Sequence, residues 1–210
     1  MKFIEKQNEP NEFTAWKSLS NDNWQPSYAD LRGDVKAAVK AALIEEQGTI
    51  CCYCERRLIV NDSHIEHFEP QSNPGVDALE FSNLLCSCQN IIKRGAPLHC
   101  GNLKGDWFDE VFLVSPLDSQ CESRFSYTGI GNIMASDSSD EAAEKTIDHL
   151  GLAIPKLNDL RNKAIEPFLD ASLSDDELKR FVSGYLKKGQ QNKLGEFWTT
   201  INHLFGAIAA

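Results

Sequence analysis

His64, Glu66, His67 and Glu69 fall within six positions of one another, in the run Ser63-His64-Ile65-Glu66-His67-Phe68-Glu69-Pro70. Imidazole is the side chain that exchanges a proton near neutral pH, so a histidine here is suited to deprotonating a water molecule. A carboxylate beside it can hold a hard divalent cation, magnesium or manganese, through oxygen. That pairing of base and cation is what hydrolysis of a phosphodiester requires. In an extended strand neighbouring side chains point to opposite faces. Glu66 and His67 can therefore serve one phosphate only if the strand ends there and the chain turns, and Pro70 is placed to enforce that turn.

The second chemistry-bearing group is sulfur. Cysteines stand at 51, 52, 54, 86, 88, 100 and 121, six of them between 51 and 100. An odd number, with no long apolar run in Met1–Lys6 to act as an export signal, argues against a disulfide framework and predicts a cytoplasmic protein. Cys51 and Cys54 form a C-x-x-C pair, and tetrahedral zinc needs a second pair of thiolates. Cys86 and Cys88 are one residue apart, too tight for an ordinary knuckle. The expected structural zinc site is therefore Cys51, Cys54, Cys88 and Cys100, with Cys86 or His99 as substitute ligands. Cys52 and Cys121 read as buried thiols. A redox role for the C-x-x-C pair lacks a surrounding βαβ pattern. A zinc nucleobase deaminase needs H-x-E followed by P-C-x-x-C; Leu85-Cys86-Ser87-Cys88 has neither the proline nor the spacing. A non-catalytic zinc-knuckle adaptor would need no base beside a carboxylate.

Four segments together resemble a known family: Cys-Cys-Tyr-Cys-Glu-Arg (51–56), His-Ile-Glu-His-Phe-Glu-Pro-Gln-Ser (64–72), Asn-Leu-Leu-Cys-Ser-Cys (83–88) and His-Cys-Gly-Asn-Leu-Lys-Gly (99–105). Their order is similar to the HNH, or ββα-metal, endonucleases with flanking zinc cysteines. Within that family they are most similar to the PtuB-type subunits of Septu and retron-associated anti-phage systems. The resemblance covers roughly residues 50–106. It implies His67 as general base and Glu66 as ligand of a catalytic Mg2+ or Mn2+. It implies Asn83 as the residue that holds the loop orienting His67, and Asn102 as a second cation ligand on the closing helix, with Lys104 either near the phosphate or closing the motif. In common members the asparagine often follows the cysteine directly; here Gly101 intervenes, and a loop at 89–99 precedes. The resemblance also implies a PtuA-like ATPase partner of the ABC/SMC type and a nucleic-acid substrate, either DNA or, as for retron-associated relatives, tRNA. A complex with a retron reverse transcriptase and its msDNA belongs to the same set of expectations.

These groups must be held by surrounding elements. The expected fold class is α+β: a ββα-metal (HNH) core stapled by the four-cysteine zinc site, an N-terminal helix and an α-helical C-terminal region. Residues 28–47 read as the helix, with Ser27 as cap, Leu31, Val35, Val39 and Leu43 at helical spacing and Gly48 as its end. Residues 1–27 read as irregular. Val111–Val114 and Phe125–Ile133 look extended. Helices are expected at 140–150, 155–169, 174–187 and 193–205, the third with a Ser174…Glu177 capping box. This divides the chain into a nuclease domain at 1–110 and a mainly helical region at 111–210, the expected docking surface for a partner. No run is long and apolar enough to span a membrane. Net charge is −10, with sixteen Asp/Glu against five Lys/Arg between 106 and 178. A protein that grips phosphate on its own usually presents a basic surface. The acidic stretch reads first as a solvated surface and second as a face for a basic partner, and the net acidity motivates the expectation that a partner contributes to substrate affinity.

Overall fold

Two helices open the chain, and a short antiparallel hairpin is laid against the second. The structure, a computed structural model, describes residues 1–209. After α1 (Asn11–Lys17) and a 3₁₀ turn at Tyr28–Asp30 comes α2 (Gly33–Glu46). It starts later than residue 28. Leu31 is extended, and Ser27 bonds Asp30 rather than capping the helix. Gly33, at φ +57, turns the chain into it. Val39 and Leu43 are fully buried as their spacing predicts. Residues 1–27 are also more regular than expected, because Phe13 of α1 is fully buried and stacks on Trp16.

β1 (Ser63–His67) pairs antiparallel with β2 (Leu84–Cys88) in the register Ser63 to Cys88 through His67 to Leu84. All five residues of β2 are buried, and so are four of the five in β1. A two-stranded ribbon has two open edges, which would leave backbone groups unpaired in the core. Side chains take up backbone groups on both. The Gln47 amide accepts from Cys86 N at 2.6 Å and donates to Cys86 O at 2.9 Å, while Lys40 donates to Ser63 O. The hairpin is followed by the single-turn helix α3 (Gly101–Lys104).

A second hairpin, β3 (Phe125–Tyr127) with β4 (Ile133–Ala135), occupies the segment expected to be one extended stretch; Gly131, at φ +84, lies in its turn. Val111–Val114 is not extended. The Asp109 side chain accepts from Val111 N and Phe112 N, and Leu113 N donates to Asp109 O, curling the segment into a turn. Helices α4 (Glu141–His149), α5 (Pro155–Ile165), α6 (Asp175–Leu186) and α7 (Trp198–Ala209) complete the chain. The capping box on α6 is present with both of its bonds. α7 begins five residues later than expected, because Leu194 N and Phe197 N are spent on Gly48 O and Glu55 O. The mixed helix-and-sheet architecture is as the sequence predicts.

The main core runs from Met1 to Leu157 and contains both hairpins. A smaller one gathers Ile165, Phe168, Val182, Ile201 and Phe205 where α5, α6 and α7 meet. Among the described residues, no helix is long and apolar enough to cross a membrane.

Candidate active site and metal centre

The thiols of Cys51, Cys54, Cys88 and Cys100 converge. Each is buried, and all four Sγ atoms lie within 4.8 Å of one another, with Cys54 and Cys88 at 3.7 Å. Metal–sulfur bonds of about 2.3 Å in a tetrahedron give sulfur–sulfur edges of about 3.8 Å. Donor set and spacing thus fit one zinc ion. The local backbone is built for it. Glu55, at φ +63, turns the chain after Cys54, and Cys88 N donates to Cys51 Sγ at 3.4 Å. Burial pushes the Cys51 thiol up. Hydrogen bonds from Cys100, Cys52, Cys54 and Cys88 outweigh it and hold the group well below the ordinary thiol range. A buried thiolate among donors is the form a metal takes. Cys86 stays outside the cluster, bonded into β2, and burial drives its thiol up to about 12. His99 is fully buried and turns Nδ1 to Cys100 Sγ at 3.1 Å. Burial lowers its pKa to about 4, which keeps the ring neutral.

His67 stands at the last position of β1, the point at which the sequence requires the strand to end. Its Nε2 lies 2.9 Å from Ala78 O. A carbonyl only accepts, so Nε2 carries the ring proton and Nδ1 keeps a lone pair. The Gln71 amide faces Nδ1 at 3.3 Å, and the Tyr28 ring meets the imidazole edge-on with centroids 4.6 Å apart. Burial lowers the His67 pKa, so the neutral imidazole persists near neutral pH.

Asn83 is far from His67 in sequence and acts on the loop between them. Its Oδ1 accepts from Glu69 N at 2.8 Å, and its Nδ2 donates to Glu69 O at 2.9 Å. One amide thus pins both backbone groups of Glu69 at the base of the segment that carries Gln71 and Ala78.

Glu66 is buried on the other face of the strand. Its Oε1 takes the Tyr53 hydroxyl at 3.2 Å and lies 3.1 Å from Lys104 Nζ; its Oε2 lies 3.5 Å from His64 Nε2. Lys104 is itself buried and also donates to His67 O at 3.0 Å, so one ammonium ties α3 to the end of β1. Gly101 has a steric reason to intervene between Cys100 and Asn102. A Cβ there would sit 2.3 Å from Glu66 Oε2 and 2.8 Å from His64 Nε2. The oxygen and nitrogen donors of Glu66 and His64 suit a hard or borderline divalent cation. The Asn102 amide donates to Gln89 O, at the end of β2, rather than to Glu66.

Tyr28, Tyr53, Gln71 and the Ala78 carbonyl join this site without being singled out by sequence. Tyr53 sits inside the C-x-x-C pair and Gln71 follows Pro70, so both lie within recognisable motifs. Tyr28 is 39 residues from His67 and carries no local signal.

No family model matches the chain. Among curated proteins it is 31% identical over 144 residues to one named "Retron Vc95 putative HNH endonuclease" from Vibrio cholerae serotype O1 biovar El Tor, a match covering 65% of this chain and 67% of that one.

Proposed function

Because the chain belongs to the HNH endonuclease family, we propose that it hydrolyses phosphodiester bonds of nucleic acid at a ββα-metal centre formed by β1, β2 and α3. The observation that carries this reading is His67 at the end of β1, locked by Ala78 O into the tautomer that leaves Nδ1 as a base, one residue from the buried Glu66 carboxylate. In this reading a water at Nδ1 loses its proton to the ring as it attacks phosphorus. The Nε2–H bond to Ala78 O stabilises the imidazolium that results. Asn83 keeps the loop bearing Ala78 and Gln71 in place. Glu66 would hold the divalent cation, magnesium or manganese, with Asn102 as a second ligand once its amide leaves Gln89 O, and His64 beside it. When bound, that cation supplies positive charge to the scissile phosphate and the leaving oxygen. Cys51, Cys54, Cys88 and Cys100 would hold a structural zinc, since four protein ligands would leave no open position on it.

The retron name of the Vibrio relative and the net charge of −10 support a wider setting. In it the protein is the effector of an anti-phage system and works with a PtuA-like ATPase or a retron reverse transcriptase–msDNA complex that brings the substrate. The test is cleavage of duplex DNA, single-stranded DNA and tRNA by zinc-loaded protein with magnesium or manganese, with and without the ATPase. His67→Ala should lower the rate at least about 10²-fold, the scale of a lost general base. Full activity in His67→Ala refutes the assignment of the base.

A further inference from the structure

An acidic nuclease must still hold its substrate near the reacting bond, and one cleft is chemically suited to that. It lies between α2 and β1, has a volume of about 340 Å³, and is lined by Tyr28, Lys36, Lys40, His64 and Asn90, with Gly33 at the helix start. No carboxylate lines it. The larger cleft, about 490 Å³, differs: it is lined by Glu5, Glu45 and Glu46 as well as Lys2 and Lys188, and so offers an anion no net attraction.

The cleft adjoins the candidate base. Tyr28 forms part of its wall and also packs against His67, with centroids 4.6 Å apart. Lys36 Nζ sits 5.2 Å from the Tyr28 ring centre, which places that ammonium within about 10 Å of the His67 ring. Lys36 is exposed and makes no ion pair among the described residues. Lys40 is anchored by donation to Val60 O and Ser63 O, so its charge is fixed at the cleft floor. The Tyr28 hydroxyl makes no hydrogen bond among the described residues and is a spare donor. Asp62, beside this wall, turns one carboxylate oxygen to Ile91 N at 2.7 Å. Lys36, Lys40, Tyr28 and the start of the 14-residue α2 line one concave space.

We propose that this cleft binds a backbone phosphate of the nucleic-acid substrate flanking the cleaved bond, with Lys36 as its principal cation. This rests on the nuclease reading above. It gives the acidic chain its own grip on the strand, next to the centre that cuts it. The ligand chemistry is the phosphodiester, common to DNA and RNA.

The test uses the full-length, zinc-loaded chain and three oligonucleotides of one sequence: duplex DNA, single-stranded DNA and RNA. Lys36→Glu and Lys36→Ala are compared with wild type and with Lys187→Glu, a control that changes the net charge as much as Lys36→Glu does, at the residue just after α6 and outside the cleft lining. Folding is checked by thermal melting. With the oligonucleotide that is cut, Lys36→Glu should raise KM roughly tenfold at low salt with kcat within about twofold. In a His67→Ala background Lys36→Ala should reduce the slope of log K against log salt by about 0.7–0.9, the loss of one phosphate contact. Whichever oligonucleotide shows the Lys36 effect identifies the source of the phosphate. An unchanged KM and slope overturn the proposal, as does an equal effect from Lys187→Glu, which would mean that only overall charge matters. If wild type binds an oligonucleotide through Lys36 but cuts none, the nuclease reading falls and the cleft stands. If it binds none of the three, the cleft falls.

Discussion

His67 is the proposed general base, and its environment would set the pH range in which it can act. Burial lowers its pKa from the ordinary 6.5, because an imidazolium is costly away from water. As pH falls, the base is therefore lost later than in a free histidine. The acidic limb of kcat/KM against pH should have an apparent pKa below 6.5; a limb at or above that value contradicts the assignment. The same depressed pKa makes protonation below it a cost to folding, so stability tied to His67 is present above pH 6.5 and declines as pH drops through the folded pKa. Lys104 is the second residue to test. It is buried against the buried Glu66 carboxylate and bonds His67 O. Lys104→Met removes one partner of a desolvated pair and should cost about 3–5 kcal/mol, read by urea denaturation of the zinc-loaded protein. A loss under about 1 kcal/mol would show that water or a cation already balances Glu66.

At the scale of elements, the site is a strand end, a pinned loop and one helical turn. Asn83 fastens the loop at Glu69 through two hydrogen bonds, and the loop in turn supplies Ala78 O and Gln71 to His67. Asn83→Ala should therefore lower kcat by about 10²-fold, the cost of a base misplaced by about an ångström. KM and the melting temperature should move far less; a large change in KM with kcat intact would place Asn83 in substrate binding instead. The cysteine cluster is legible in the sequence because a C-x-x-C pair is followed by Cys86, Cys88 and Cys100, and the tight spacing of Cys86 and Cys88 favours Cys88 with Cys100 as the second pair. Asn83 is legible because it sits in a motif. Tyr28 and Lys36 are not: they reach the site through the packing of α2 on the hairpin, and nothing local marks a residue that will be brought near by tertiary folding. The errors in element bounds have similar causes. Val111–Val114 reads as a strand from its apolar side chains, yet the Asp109 carboxylate offers its amides a closer partner. Residues 193–197 read as helix, yet two of their amides are taken by Gly48 O and Glu55 O, on either side of the C-x-x-C pair.

For the whole molecule, the turn that carries Cys51 and Cys54 is also a junction between distant parts of the chain. Glu55 directly follows the ligand Cys54. It accepts from Thr199 N at 2.8 Å and from the Thr199 hydroxyl, and lies 3.0 Å from the Met1 ammonium, which is itself held by Tyr127 OH at 2.8 Å. Burial alone would lower the pKa of that ammonium; Tyr127 and Glu55 outweigh it and raise the value to about 11. Arg57, two residues on, donates to Leu194 O at 2.6 Å, and its backbone N–H donates to Glu196. A structural zinc organises the segment it binds, so removing it should loosen these contacts along with the thiolates. Stripping the metal with a chelator should lower the melting temperature by well over 10 °C, consistent with several kcal/mol lost from a chain of this size; a shift under about 2 °C would show that the four cysteines hold no stabilising ion.

The placement of Glu55 has one more consequence, for turnover of the protein. The segment from Leu194 to Thr199 leads into α7, and its backbone is held by the turn that follows Cys54 of the cysteine cluster. A metal-free chain would present that segment to proteases as a cleavable strap, while a loaded chain would keep it shut. Metal occupancy would then set the protein's lifetime: copies that never acquire zinc, and that lack an ordered hairpin beside His67, would be trimmed first.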